Sequence, residues 1–361
     1  MRRLAGLIVV VIGSFALHGS PLHGSPLLAQ ERGVRELVAL LRASDPVTRA
    51  RAACDLRELG DRAADAIEPL VALMDDATPI SEDVCENNRN WGGRDGELTT
   101  PGKQAASALV AIGSRSFTPV LNTLRSSVWV ARRNAAWALG ALRDARAVLP
   151  LIDALKDREG QVREQVVWAL GALRDPRATS PLIDALKDQE TSVRRQTAWA
   201  LGALRDTRAT GPLVEALKDR EAPVREQAAW ALGALRDRTA VPGLAKALED
   251  SDAKVRRQAA WALGALRDPR GAEPLAAALK DREASVREQA AWASGALRDR
   301  TSVPPLIALL GDSEPSVRRQ AAWALGAVGD ARALEPLLTA LKDADPSVRR
   351  QVAWAIGVVN K

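Results

Sequence analysis

One stretch of sequence, repeated along this chain with little change, decides the fold. At residues 162–175 it reads Val162-Arg163-Glu164-Gln165-Val166-Val167-Trp168-Ala169-Leu170-Gly171-Ala172-Leu173-Arg174-Asp175. Eight tryptophans mark successive copies, each 31 residues after the one before: Trp137, Trp168, Trp199, Trp230, Trp261, Trp292, Trp323 and Trp354. A fixed period of this length indicates a repeat protein, in which stacked copies of one unit share a continuous core.

Each unit predicts two amphipathic helices. The longer helix runs from about residue 161 to 173, and at 100° per residue its apolar positions fall on one face. Trp168 lies about 150° from the centre of that face. The shorter helix follows, with Pro181 near its start, where backbone amides have no partner inside the helix. The residues of the apolar face are Val162, Val166, Ala169, Leu170 and Leu173.

Less regular units precede the array. Residues 32–59 predict a first helix pair, and residues 63–74 with 102–112 predict a second. Residues 115–142 predict a third, in which Ser126 stands where later units have an aspartate. Together with the regular array, these units make about ten pairs.

The units resemble HEAT repeats, specifically the short HEAT-like repeats of phycobilisome lyases. A proline recurs in the short helix, although Gly243 departs from it: Pro150, Pro181, Pro212, Pro274, Pro305 and Pro336. An aspartate precedes each Val-Arg pair: Asp157, Asp188, Asp219, Asp250, Asp281, Asp312 and Asp343. The arginines of those pairs are Arg163, Arg194, Arg225, Arg256, Arg287, Arg318 and Arg349.

This resemblance covers nearly the whole chain after residue 29. It implies an all-α fold, a right-handed α-solenoid (superhelix) of about ten antiparallel helix pairs with a 31-residue repeat. In the family the aspartate and arginine positions form a ladder that ties each repeat to its neighbour, so the resemblance implies a structural role for them here. It says little about function, and a phycobilin-lyase-like enzyme stays an alternative.

Residues 1–29 have the pattern of an export signal. Arg2 and Arg3 precede an apolar run from Leu4 to Leu17, and small residues end the segment at Ala29. The run is shorter than the roughly 20 residues that span a bilayer. We therefore expect a cleaved signal peptide and an exported solenoid, periplasmic or secreted, from residue 30 to 361, with no membrane span. An N-terminal membrane anchor is the alternative.

The residue inventory argues against catalysis. His18 and His23 are the only histidines, and both lie in the leader. The chain after Ala29 therefore lacks a histidine base, a Ser-His or Cys-His pair and a zinc site of ordinary composition. It also lacks a Gly-rich phosphate loop. We predict a non-enzymatic protein without cofactor, metal or catalytic residues.

The tryptophans are the candidate binding residues, because they lie off the apolar face and repeat through eight units. Glutamines accompany them at Gln165, Gln196, Gln227 and Gln258. We expect this ladder to line a concave surface that binds another protein or an extended peptide. Binding of a polysaccharide by stacking is one alternative, and a rigid spacer is another. In a further reading the indoles are packing spacers, with Trp168 covering Ala172 and Ala198.

A second ladder places alternating charges four residues before each tryptophan. Its members are Arg133, Glu164, Arg195, Glu226, Arg257, Glu288, Arg319 and Arg350. Neighbouring units should pair Arg with Glu, which leaves a nearly neutral surface. A nucleic-acid-binding solenoid would instead present uniform positive charge there, so we expect no nucleic-acid partner.

An insertion at residues 75–101 interrupts the second pair. It contains Cys85, and Cys54 is the only other cysteine. In an exported chain a single pair favours a disulfide, whereas a buried free thiol at Cys54 is the alternative. The insertion is read as a surface loop or as a functional loop over the groove. A calcium site that uses Asp83, Glu86 or Asp95 is a further alternative.

Overall fold

The chain forms ten helix pairs in a computed structural model that describes residues 33–81, 84–85 and 98–359. The signal peptide predicted at residues 1–29 and the calcium ligands considered above lie outside these residues. The short helices are α1 (Val34–Leu40), α3 (Ile67–Leu73), α5 (Phe117–Thr123), α7 (Val148–Ala154), α9 (Thr179–Ala185), α11 (Thr210–Ala216), α13 (Val241–Ala247), α15 (Ala272–Ala278), α17 (Val303–Ala308) and α19 (Leu334–Ala340). The long helices are α2 (Pro46–Leu59), α4 (Pro101–Ile112), α6 (Trp129–Leu142), α8 (Gly160–Leu173), α10 (Thr191–Leu204), α12 (Ala222–Leu235), α14 (Ala253–Leu266), α16 (Ala284–Leu297), α18 (Pro315–Val328) and α20 (Pro346–Val359).

The predicted all-α solenoid is confirmed, and so are the three irregular pairs at its start. A short 3-10 turn leads into each short helix from α3 onward, as at Pro176–Ala178 before α9. The insertion is closed at its base by an isolated antiparallel bridge, in which Ile80 and Thr99 exchange backbone hydrogen bonds of 3.0 Å.

The long helices form one layer and the short helices form the other. Each long helix packs along the long helices of the neighbouring pairs, whereas a short helix packs mainly on the long helix of its own pair. Glycine and alanine at the long-helix contacts allow a very close approach, as between Gly171 and Ala200. Because the long helices are the closer-packed layer, we expect the array to curve towards them, with the long helices on its concave side.

The core lies where the helical periodicity predicts it. Val162, Val166, Ala169 and Leu170 are completely buried, and equivalent residues repeat this in the following pairs. Burial of such side chains supplies the main stabilisation of stacked repeats, which have no core of their own.

Each long helix from α6 to α18 ends at a residue in the left-handed backbone region. At the end of α18 this residue is Gly329, with φ of 69°. Glycine is the usual choice there because it has no Cβ to crowd the backbone. The other six long helices in this range end at an arginine with φ between 49° and 56°: Arg143, Arg174, Arg205, Arg236, Arg267 and Arg298.

Ser294 is expected to weaken the eighth pair. It is 2% exposed at the core position that Leu263 and Leu325 occupy in neighbouring pairs, and its hydroxyl has no hydrogen-bond partner. Ser294→Leu should raise the free energy of unfolding by about 1 to 2 kcal/mol, because it restores apolar volume and removes an unsatisfied polar group. Urea unfolding measures the change, and amide exchange over residues 284–297 should slow.

Ser294→Ala is the matched control, because it removes the hydroxyl without filling the space. A gain from Ser294→Ala alone would assign the defect to the buried hydroxyl. A less stable Ser294→Leu protein would contradict the prediction, since it would show that the surrounding side chains already fill this site.

Candidate concave binding surface

The indoles of the tryptophan ladder are seated on glycines of the preceding pair. Indole atom Cζ3 of Trp199 lies 2.7 Å from where a Cβ on Gly171 would be, and Trp230 stands in the same relation to Gly202. Glycine in mid-helix costs stability relative to alanine. Here its missing side chain makes the space that the next indole occupies. The structure therefore places a glycine of the preceding pair behind each tryptophan from Trp168 to Trp354, a contact that the spacer reading did not name.

The ladder is nevertheless only partly buried. Trp168, Trp199, Trp230, Trp261, Trp292 and Trp323 are half-buried and packed against the core. At the ends the environment changes, because Trp137 is 5% exposed and Trp354 is 46% exposed. Trp137 also stacks on Trp168, with ring centroids 6.4 Å apart and planes at 10°. Each middle indole thus has one side in the protein and one side towards the concave surface.

An open groove runs across the middle of this surface. Its volume is about 640 Å³, and it spans four successive long helices, α12 to α18. It is lined by Trp230, Arg257, Gln258, Trp261, Ser285, Glu288, Gln289, Trp292 and Gln320. The lining thus includes three indoles and three glutamines.

The glutamines of the groove have no hydrogen-bond partner among the residues that the structure describes. Gln165, Gln196, Gln227 and Gln258 are all half-buried on the long helices. Gln289 and Gln320 were not among the predicted residues, although Val-Arg-Glu-Gln at 286–289 and Val-Arg-Arg-Gln at 317–320 repeat the same motif. An amide offers two donors and one acceptor oxygen. These groups can therefore bind the backbone of a partner.

Charges on the same face are paired between neighbouring helices. Three of the five arginines pair with the glutamate of the preceding pair: Arg195 with Glu164 at 4.0 Å, Arg257 with Glu226 at 3.8 Å and Arg319 with Glu288 at 3.7 Å. Exposed pairs of this length contribute little stability. Their effect is to leave the groove nearly neutral.

Arg133, the first residue of the ladder of alternating charges, makes different contacts. Its guanidinium lies over the ring of Trp129, 5.3 Å from the centroid, and donates to Asn134 Oδ1 at 3.3 Å. Burial lowers the pKa of this arginine below its usual value. The Trp129 face gives the charge a favourable contact as it loses water.

The Asp-Arg ladder lies at the edge where the long helices begin. Arg163 donates through Nε and one terminal nitrogen to both carboxylate oxygens of Asp188 in the next pair, at 2.7 and 2.8 Å. Its other nitrogen donates to the carbonyls of Asp157 and Arg158 in its own pair. Burial acts to raise the pKa of Asp188, but the bonds from Arg163 and from the Glu190 backbone outweigh it and lower the pKa.

The same ion pair recurs along the array. It joins Arg49 to Asp76, Arg132 to Asp157, Arg194 to Asp219, Arg225 to Asp250, Arg256 to Asp281, Arg287 to Asp312 and Arg318 to Asp343. These residues hold adjacent repeats in register, as the family resemblance implies. They hold the helices that form the groove in place, but they are not among the residues that line it.

A second ladder at the opposite edge was not predicted. Arg177 pairs with Asp175 at 2.7 Å and also reaches the carbonyl of Ala145 in the preceding pair, at 3.4 Å. Arg208 repeats this with Asp206 and the carbonyl of Pro176, and its hydrogen bond is the main cause that lowers the pKa of Asp206 to about 2. The recurring Asp-x-Arg spacing in the sequence could have indicated this ladder.

Cys54 and Cys85 are joined by a disulfide, with their Cα atoms 6.1 Å apart. Cys54 occupies, in long helix α2, the position that tryptophan has in later long helices. The bond attaches the insertion to the long helix of the first pair.

No described helix is long and apolar enough to cross a membrane. Within the same residues, no group of three or more His, Cys, Asp or Glu side chains is placed to hold a metal ion.

Comparisons with known proteins bear on the fold. A chain of the Kap95:Nup1 complex has a TM-score of 0.63 at 15% identity, covering 90% of this chain and 51% of that one. The Escherichia coli protein YibA has a TM-score of 0.53 at 20% identity, covering 71% and 95%. The CpcE and CpcF complex of phycocyanin lyase from Nostoc reaches only 0.41 at 24% identity, covering 67% and 94%. A search of curated proteins finds no match.

The family models give the assignment. A model of HEAT repeats matches residues 117–202, 148–232, 210–293 and 272–357, and a model of the PBS lyase HEAT-like repeat matches residues 48–76. The matches extend over most of the chain and coincide with its helix pairs. The chain therefore belongs to the HEAT-repeat family.

Proposed function

We propose that this protein is a non-catalytic scaffold outside the cytoplasm that binds an extended segment of another protein along its concave surface. The observation that carries the proposal is the groove on the long helices, which is lined by three half-buried indoles and three glutamines. HEAT repeats are suited to such a role because the stacked units form one long surface.

An extended peptide fits the chemistry of the groove. Its backbone offers a donor and an acceptor at regular intervals, which the glutamine amides can meet. Its apolar side chains can lie against the exposed sides of the indoles. Because the Arg-Glu pairs cancel the local charge, the surface does not favour a strongly charged partner.

The distance between adjacent long helices also suits an extended peptide. Adjacent long helices lie about 8 to 10 Å apart, close to the roughly 9 Å per turn of a polyproline II segment. A peptide in that conformation would present an equivalent side chain to each successive indole.

The glutamines provide the test, because substituting tryptophan would also empty its seat on the preceding helix. Gln258→Ala, Gln289→Ala and Gln320→Ala together should change the free energy of unfolding by less than about 0.5 kcal/mol per site and abolish partner binding. The wild type and the triple variant are immobilised, incubated with extracytoplasmic extract, and the bound proteins are identified by mass spectrometry.

A matched control places three substitutions on the outer short helices: Asp153→Ala, Asp184→Ala and Glu215→Ala. Proteins captured by the wild type and by this control, but lost from the glutamine variant, support the proposal. An unchanged set on the glutamine variant contradicts it. Retention on insoluble wall polysaccharide in place of protein would favour glycan binding instead.

The location outside the cytoplasm is supported by two features. The leader has the pattern of an export signal, and a disulfide persists in an oxidising compartment. Cell fractionation with N-terminal sequencing should find an extracytoplasmic chain beginning at Gln30, with no free thiol in the unfolded, unreduced protein. A cytoplasmic chain with two free thiols contradicts this part of the proposal.

A further inference from the structure

Six unpaired arginines form a row along the edge where the long helices end. They are the left-handed residues described above, and all six are exposed. Within residues 33–81, 84–85 and 98–359, no hydrogen bond or ion pair holds their guanidinium groups. Because adjacent long helices lie about 8 to 10 Å apart, the row offers one free guanidinium at each such step. We call it the arginine edge: Arg143, Arg174, Arg205, Arg236, Arg267 and Arg298.

The arginine edge differs from the neighbouring charges because its guanidinium groups have no counter-charge. On the same edge, Arg146, Arg177, Arg208, Arg270 and Arg332 are paired with aspartates. On the concave face, Arg195, Arg257 and Arg319 are paired with glutamates. Among the described residues, the six arginines of the edge have no such partner.

Helix termination does not explain why arginine stands at these positions. An arginine at positive φ is less stable than glycine, because its Cβ crowds the backbone. Gly329 ends α18 with the same geometry. A cation near the helix C-terminus interacts favourably with the helix dipole, but a residue of the last helical turn would provide that contact at ordinary φ. The repeated choice of arginine thus points to a use for the side chain.

We propose that the arginine edge binds a linear polysaccharide that carries carboxylates at wide intervals. Arginine suits this ligand because its planar guanidinium binds a carboxylate through two parallel hydrogen bonds. Single guanidinium groups one helix spacing apart match a polymer with one carboxylate on every second sugar.

Nucleic acid fits this edge less well. Duplex DNA has one charge per roughly 1.7 Å of axis, far denser than the row of arginines, and Asp175 and its equivalents would repel closely spaced phosphates. Proteins that bind single strands add aromatic side chains on which bases stack. The segments that follow these arginines, such as residues 174–178, contain no aromatic residue.

The test uses hyaluronan oligosaccharides, which carry one carboxylate on every second sugar. Arg174, Arg205, Arg236 and Arg267 are replaced together by glycine. Binding measured by calorimetry at low salt should weaken by roughly ten-fold or more, while the melting temperature should rise because the left-handed positions relax. Wild-type binding should also fall in roughly 0.5 M salt, where exposed charges are screened.

A matched control removes four exposed cations from the opposite edge: Arg158→Gln, Lys187→Gln, Arg220→Gln and Arg282→Gln. Retained binding by this control, with loss in the glycine variant, supports the proposal. Equal weakening in both variants would overturn it, because the attraction would depend on net charge alone. So would a glycine variant that melts below the wild type, or tighter wild-type binding to a DNA oligonucleotide of equal length than to hyaluronan.

Discussion

Replacing Arg194 with alanine is expected to destabilise the array by about 3 to 5 kcal/mol, because it leaves the partner carboxylate without a counter-charge. The Arg194 and Asp219 side chains are only 6% and 12% exposed. Arg194 donates to both oxygens of Asp219, at 2.7 and 3.0 Å, and to the carbonyls of Asp188 and Gln189. One substitution therefore removes an ion pair between repeats and a clamp on the preceding loop.

Arg349→Ala separates these two contributions. Arg349 stands at the same position in α20, where it donates to the carbonyls of Asp343 and Ala344 through the hydrogen bonds that the structure shows. Its loss should cost about 1 kcal/mol. Urea unfolding of both variants gives the difference. Equal costs would show that the ion pair between repeats adds nothing and that the ladder acts through its carbonyl bonds.

Gly233→Ala is expected to cost about 2 to 3 kcal/mol, although alanine is the better helix former by about 1 kcal/mol. The new Cβ would lie 2.5 Å from Trp261 Cζ3 and 3.0 Å from Ala262 Cα. The indole is held by its own packing, and Ala262 Cα is backbone, so the two helices must separate. Thermal unfolding should shift downward, and Trp fluorescence should report a more exposed indole.

The control is Gly357→Ala, at the equivalent position in α20. A Cβ there meets nothing within 4 Å. This variant should gain up to about 1 kcal/mol from helix propensity alone. A Gly233→Ala variant as stable as the wild type would show that the indole and the neighbouring helix can move to accommodate the new Cβ. The close packing of the long helices would then not depend on glycine.

The sequence predicted the parts of this fold that depend on one unit. The spacing of Trp168 and its equivalents gave the repeat, and helical periodicity placed Val162, Val166 and Leu170 in the core. It also placed the indole off that face. It could not show what the indole touches, because the offset between two stacked units is set by their mutual packing. Only the structure identified Gly171 as the seat of Trp199.

The sequence also did not predict the contacts that side chains make with backbone carbonyls. The Asp-Arg ladder was expected because two charged side chains recur at fixed positions in a known family. The bond from Arg177 to the carbonyl of Ala145 has no such signature, since every residue carries a carbonyl. The unusual φ of Arg174 and its equivalents was hidden for the same reason. A sequence shows which side chain recurs and leaves the backbone conformation that presents it unspecified.

The glycine seats also give the array a direction and a way to change length. From the third pair onward, each junction consists of a glycine on one unit and an indole on the next, so excising whole units of this part rejoins two complementary surfaces. Removing or adding two units at a time also preserves the alternation of Arg and Glu along the concave side. A protein built in this way can gain or lose units by recombination between its own repeats, without any new contact between units having to evolve.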